Sequence, residues 1–412
     1  MKAWERLLNY VTVMTPSDEE SETSPSSDCQ FVLADRLVKE LSDMQISASR
    51  DDKCYVYARI PASKGCEDQP CLGFIAHMDT VSDFADHTVK PVIHEKYNGS
   101  AVVLGESGRT LTEEMFPHLP LLAGRTLITT DGTTILGADD KAGIAEIMTL
   151  AEILVNSKIP HGPVAIGFTP DEEVGRGAEH FDVSRFGADF AYTVDGDMEG
   201  EIEYETFNAA AVKVNFNGVN VHPGTAKGIM VNAAAAACEF RSMLPEGETP
   251  EETEGYEGFY HIMKIKGTVA EAKIDMIVRD HDNEKFAARK AVLEEITETL
   301  NKKYGAGTVT MSWREQYRNM AEKIKDHFHL IDNAKIAAMR AGVTPKVQPV
   351  RGGTDGAMLS FMGLPCPNLG TGGFAFHGPY EHITVEGMDK VVQMLLNLVK
   401  IYSGCENMSC DA

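Results

Sequence analysis

Residues 164–169, VAIGFT, are apolar up to their last position, and they follow a helix-length stretch, KAGIAEIMTLAEILVNS, that is almost as apolar throughout. A strand with no hydrated side must lie inside a sheet covered on both faces, a condition met by parallel sheets layered between helices. The same character recurs in CLGFIA (71–76) and DFAYTV (189–194), and CYVYARI (54–60) is rich in β-branched and aromatic residues. Apolar positions 31, 34, 37, 38, 41 and 44 in FVLADRLVKELSDM recur at helical spacing. The expected fold is therefore α/β, a mostly parallel sheet flanked by helices, and such sheets bind ligands beyond the carboxyl ends of their strands.

Near residue 207 the pattern changes. Strand AAVKVNF, helix MVNAAAAACEFRSM, strands FYHIMKIK and AKIDMIVRD, helix NEKFAARKAVLEEITETLNKKY and strand TVTMSWREQY follow in turn. That order, β-α-β-β-α-β, is a complete ferredoxin-like unit. After residue 320 the α/β pattern resumes, with helices around 328–342 and 388–402. At 412 residues the chain exceeds what one core usually supports. The expectation is a larger domain in two parts, 1–206 and 319–412, interrupted by an inserted domain at 207–318. The acidic link PEGETPEETE reads as a solvated loop. Residues 82–125 mix Gly, Pro and charge without period, and His87, His94 and His118 within them are expected at the surface.

Several apolar runs end in a histidine or an acid. GFIAHMDT sets His77 and Asp79 two apart, so an extended backbone turns both side chains to one side. GADDKAG places Asp139 and Asp140 directly before a helix, where an N-cap pair is the plain alternative. TPDEEVG brings Asp171, Glu172 and Glu173 to the end of VAIGFT, DFAYTV runs into Asp195, and GTGGFAFHGPYEH supplies His377. The glycines of that last segment do not precede Gly-Lys-Ser/Thr, so a phosphate loop is not indicated. If these ends converge, several carboxylates share a small volume, and two like charges about 4 Å apart repel by about 4 kcal/mol at an effective dielectric of 20. Lys141 is the one base that recurs beside the motifs. Divalent cations are the economical counter-charge, and two histidines with several carboxylates suit zinc or a neighbouring first-row metal.

Composition narrows the partners. A formal charge of −24 opposes nucleic acid and anionic membranes, both of which need a basic footprint. No run of 18 apolar residues occurs, and MKAWERLLNY carries charge where a signal peptide needs an apolar core. Cysteines at 29, 54, 66, 71, 238, 366, 405 and 410 form no Cys-x-x-Cys pair and read as reduced thiols. A cytoplasmic protein is expected.

The series AHMDT, LGADDKAG, TPDEEVG, TVDGD and FHGPYEH, with VHPGTAKG in the insertion and RGGTDG at 351–356, resembles the co-catalytic zinc aminopeptidases and carboxypeptidases over essentially the whole chain. The resemblance implies the zinc exopeptidase type of fold and two zinc ions, for which cobalt or manganese can substitute. His77 and Asp195 would bind one metal, Glu173 and His377 the other, and Asp139 would bridge them. Asp79 would orient His77, and Glu172 would be the general base as metal-activated water attacks the peptide carbonyl. A cis peptide between Asp139 and Asp140 is also implied. In the inserted domain, His222 would polarise the scissile carbonyl, from the same subunit or from a homodimer partner, and Arg279 and Arg351 would clamp the substrate's free carboxylate. A fixed span between amine and carboxylate would select short peptides, tripeptides above others, with release of the N-terminal residue. A dipeptidase, an amide deacylase of the same design and a catalytically silent peptide-binding protein are the alternatives.

Overall fold

The computed structural model describes residues 1–404, and Cys405 and Cys410 lie outside them. The chain divides into two compact units. Of the described residues, one comprises 1–204, 320–348 and 354–404, the other 205–319 and 349–353. Residues 349–353 thus pack with the insertion and not, as the sequence suggested, with the part that follows it.

The first unit is built on an eight-stranded sheet. Val164–Thr169, Leu72–His77, Phe190–Gly196 and Asn368–Gly370 lie side by side and parallel, in that spatial order. Val56–Ile60 and Ser47–Arg50 extend one edge antiparallel, and Glu201–Glu203 with Lys346–Val347 complete the other. All six residues of Leu72–His77 and of Val164–Thr169 are buried, which is what strands covered on both faces require. Helices Ala138–Asn156, Gln30–Asp43 and Val385–Tyr402 contribute Ile144, Met148, Leu37, Val391 and Leu395 to the principal core against Phe74, Ile166 and Tyr192. The packing holds the carboxyl ends of the central strands at one rim.

Residues 82–125, which carry no periodic signal, nevertheless build a small core of their own. Val92–His94 pairs with Leu127–Thr129, that strand with His382–Thr384, and the last with Gly373–Phe374. Tyr97, Leu104, Leu111, Leu119 and Leu122 cluster beneath this sheet with Leu127 and Phe374. His87 is exposed and His94 half-buried against Thr129. His118 departs from the surface expectation: its ring stacks on Phe374 with centroids 4.1 Å apart. Its Nε2 lies 2.8 Å from Nε2 of His382, whose Nδ1 donates to the Tyr380 carbonyl. The apolar cluster forms from loop residues at irregular spacing, so no period betrays it.

The second unit is an antiparallel sheet in the order Phe259–Gly267, Glu271–Asp280, Asn208–Asn217, Val309–Tyr317. Helices Ala233–Ser242 and Asn283–Tyr304 cover it, with Phe216, Phe240, Ile274, Leu293 and Leu300 in its core.

His382 gives the fold a pH signature. Burial pushes its pKa down to about 4, whereas an unfolded histidine titrates near about 6.5. Between those values the unfolded chain binds the extra proton, so stability is full above the upper value and declines as pH falls toward the lower one. Denaturant titrations at pH 7 and pH 4.5 are expected to show that His382→Asn loses less stability than the parent over this interval, by up to about 3 kcal/mol. Parallel pH profiles would contradict the assignment.

Candidate metal centre

His77 closes its strand, Asp195 sits near the end of the neighbouring strand, and Glu172 and Glu173 occupy the short turn after Val164–Thr169. Asp139 precedes the regular part of its helix and His377 lies on the loop between Gly373–Phe374 and His382–Thr384. All six converge. His77 Nε2 is 2.9 Å from Asp139 Oδ1 and 3.3 Å from Asp195 Oδ1. His377 Nε2 is 3.0 Å from Asp139 Oδ2 and 3.1 Å from Glu173 Oε2. The two oxygens of Asp139 therefore face different imidazoles. Potential ligand atoms of His77, Glu172 and Asp195 lie within 4.8 Å of one another, as do those of His77, Asp139 and Glu173.

The remaining acids of these motifs are held by backbone N–H groups. Asp79 accepts from Glu172 N at 3.0 Å and Glu173 N at 3.1 Å, so one carboxylate fixes the backbone of both glutamates. His77 Nδ1 donates to the Asp79 carbonyl at 3.0 Å, with the Asp79 carboxylate farther away at 3.4 Å. Asp140 accepts from His77 N and from Gly143 N, so of the two adjacent acids it alone caps the helix. The peptide between Asp139 and Asp140 is cis. Asp171 faces away from the cluster: its carboxylate accepts from Ser26 N, Ser26 Oγ and Gln30 Nε2, anchoring the turn in a left-handed conformation at φ 58°.

Electrostatics reflect the crowding. Burial, with Asp195 adding to it, lifts the Glu172 carboxyl well above the usual range. Burial likewise pushes Glu173 and Asp195 up to about 7. Burial opposes charge on His77, but Asp195, Asp139 and Asp79 outweigh it and raise its pKa. Hydrogen bonds to Asp139 and Glu173 push His377 up to about 11. Desolvation opposes charge on half-buried Asp139, yet the two imidazoles hold it well below the carboxylate range. Lys141, fully buried and donating to the Val13 carbonyl, is pushed down to about 8 by desolvation.

This donor set fits divalent cations. Glu173 Oε1 is buried without a hydrogen-bond partner, an acceptor left for a ligand other than a protein donor, and imidazole nitrogens facing a shared carboxylate are the mixed N/O donors that zinc-like ions take.

The sequence reading passed over two residues. Asp355, fully buried at the start of helix Asp355–Phe361, accepts from Thr169 Oγ1 at 2.7 Å and so braces the strand that leads into Glu172 and Glu173. Glu381, four residues past His377, is also buried. Its signal was an acid where an apolar strand begins.

In the second unit, His222 is exposed, and its Nδ1 accepts from Gly224 N, which leaves the proton of a neutral ring on Nε2. Arg279 is 9% exposed, donates to the Ala210 and Val278 carbonyls and stacks on Tyr317. Among the described residues no carboxylate pairs with it. Arg351 donates to the carbonyls of Gly255 and Glu257 and to Thr253 Oγ1, and it lies over Phe207 and Phe259. These partners all belong to its own unit.

Residues 204–308 match the peptidase dimerisation domain of the M20 type. Peptidase T of Clostridium perfringens is 52% identical over 405 residues, 98% of this chain and 99% of that protein. Among solved structures, aminopeptidase PepT of Bacillus cereus superposes with a TM-score of 0.76 at 26% identity, covering 97% of this chain and 98% of the other. A tripeptidase of Staphylococcus aureus has the same TM-score and coverage at 23% identity and shares the fold. The fold is that of the M20 peptidases, and the donor set suits a dinuclear metal site. The chain belongs to the peptidase T family.

Replacing Asp171 by Ala removes an acceptor that buried Ser26 and Gln30 donors depend on. The expected cost is about 1–3 kcal/mol of stability, read by denaturant titration, with lower turnover because Glu172 and Glu173 follow directly. Unchanged stability and turnover would contradict the anchoring role.

Proposed function

We propose that the chain is a metal-dependent aminopeptidase that releases the N-terminal residue of tripeptides. The observation that carries the reading is the Asp139 carboxylate, which turns one oxygen to His77 and the other to His377. Two zinc ions are the proposed cofactors; His77 and Asp195 would hold one, Glu173 and His377 the other, and Asp139 would serve both. Near-full-length identity to a protein named peptidase T supports the substrate class.

When bound, such cations acidify water and polarise a carbonyl oxygen. Glu172 receives the proton of the attacking water and returns it to the leaving amine, which suits a carboxyl whose buried setting raises its proton affinity. Asp79 holds the Glu172 and Glu173 backbones in place, so the neighbouring glutamates can act separately as base and ligand. His222, with Nε2–H free, is proposed to donate to the scissile carbonyl. Arg279 is proposed to bind the substrate carboxylate: a buried guanidinium without a carboxylate partner has unused capacity for one, and its fork fits that group. Arg351, already donating to the Gly255 and Glu257 carbonyls and to Thr253 Oγ1, is the weaker of the two arginines for this role. The dimerisation domain supports a homodimer. A cytoplasmic setting accords with free thiols at Cys29, Cys54, Cys71, Cys238 and Cys366.

Steady-state kinetics on free and N-acetylated di-, tri- and tetrapeptides are expected to show turnover of free tripeptides above all others, abolished by chelation and restored by zinc, cobalt or manganese. Glu172→Gln is expected to keep its metal while losing about 10²–10⁴-fold in kcat. Undiminished turnover in that variant, or equal use of all peptide lengths, would overturn the reading. Arg279→Lys is expected to raise KM for free tripeptides more than it lowers kcat, and an unchanged KM would remove Arg279 from the substrate site.

A further inference from the structure

Glu381 is a buried carboxyl whose hydrogen bonds, among the described residues, come from backbone N–H groups. Its side chain is 1% exposed, and its carboxylate is satisfied by the backbone of a single turn. Oε2 accepts from Leu136 N at 2.6 Å and Gly137 N at 2.8 Å, and Oε1 accepts from Asp139 N at 3.0 Å. Successive backbone N–H groups can converge on one anion when the chain alternates into left-handed geometry. Gly137 provides that geometry with φ 72°, a conformation costly to residues bearing a Cβ. The anion in this cradle is a side chain of the protein itself.

That bond joins two segments distant in sequence. Glu381 lies four residues beyond His377, and its Oε1 holds the backbone N–H of the residue whose carboxylate meets His377 Nε2 at 3.0 Å. We propose that Glu381 is a positioning residue that fixes the spacing between Asp139 and His377, and through it the geometry of the second metal position. The proposal rests on the dinuclear reading of the site.

Glu381→Gln separates this role from simple folding. An amide oxygen placed where Oε2 sits keeps the Leu136 and Gly137 bonds, but the NH₂ then faces Asp139 N–H, donor against donor. Partners that orient metal ligands typically account for 10–100-fold in metal affinity or activity. Co²⁺ titrated into the metal-stripped full-length protein, followed by visible absorption, is expected to show two ions in the parent. In Glu381→Gln the second ion should bind about 10–100-fold more weakly, with an altered cobalt spectrum. Tripeptide kinetics should show kcat reduced by a similar factor and KM nearly unchanged. If Glu381→Gln fails to fold, Glu381→Asp decides by the same readouts, since it keeps the charge but is one methylene too short to reach all three amides. Two cobalt ions in the parent with an unchanged spectrum, affinity and kcat in the folded variant would overturn the positioning role alone. Fewer than two ions in the parent would instead overturn the dinuclear site on which it rests.

Discussion

Carboxylates held within a few ångströms of one another and away from water stay there only if their repulsion is offset. Asp139, Glu172, Glu173 and Asp195 meet this condition at the rim of the parallel sheet, with His77 and His377 interleaved among them. Two like charges about 4 Å apart cost about 4 kcal/mol even at an effective dielectric of 20. Burial, with Asp139 adding to it, raises the proton affinity of Glu173 and Asp195, upward to about 7 for each. Divalent cations would answer the same demand with more charge in less space, and Asp139, with one oxygen toward each histidine, is placed to serve both proposed positions. The function follows from how that charge is balanced.

The acids around the cluster divide into two groups by what they accept. Asp79, Asp140, Asp171 and Glu381 take backbone N–H groups, respectively from the glutamate turn, from His77 and the helix start, from Ser26, and from the 136–139 turn. Asp139 and Asp195 turn toward His77, and Asp139 and Glu173 toward His377. The first group builds a fixed frame out of neutral amide donors, which hold an anion without cancelling the charge a metal needs. The second group is left for the ligand. Within three consecutive acids the same division holds: Asp171 turns to Ser26 and Gln30 and anchors the turn, while Glu173 faces His377.

Much of this arrangement was legible in the chain because burial imposes period. Strands covered on both faces read as uninterrupted apolar runs, so the His and acids that end them stood out, and their convergence follows from parallel order. The β-α-β-β-α-β insertion was legible for the same reason. Aperiodic features were not. The core beneath residues 97–122 is assembled from loops, and the stacking of His118 on Phe374 leaves no local trace. Residue type and spacing alone did not distinguish Asp139 from Asp140, since both are acids before a helix; the family resemblance singled out Asp139, and the geometry separates the cap, Asp140, from the residue facing the histidines. Arg351 illustrates a different limit: a guanidinium suited to a substrate carboxylate is equally suited to the loop carbonyls of Gly255 and Glu257, and the fold brings those within reach.

The most direct measurement is anomalous X-ray diffraction at the zinc edge from crystals of the zinc-loaded protein. Two peaks are expected, with Asp139 between them, His77 and Asp195 on one and Glu173 and His377 on the other. A single peak, or peaks away from these side chains, would contradict the claim that paired cations hold this cluster together.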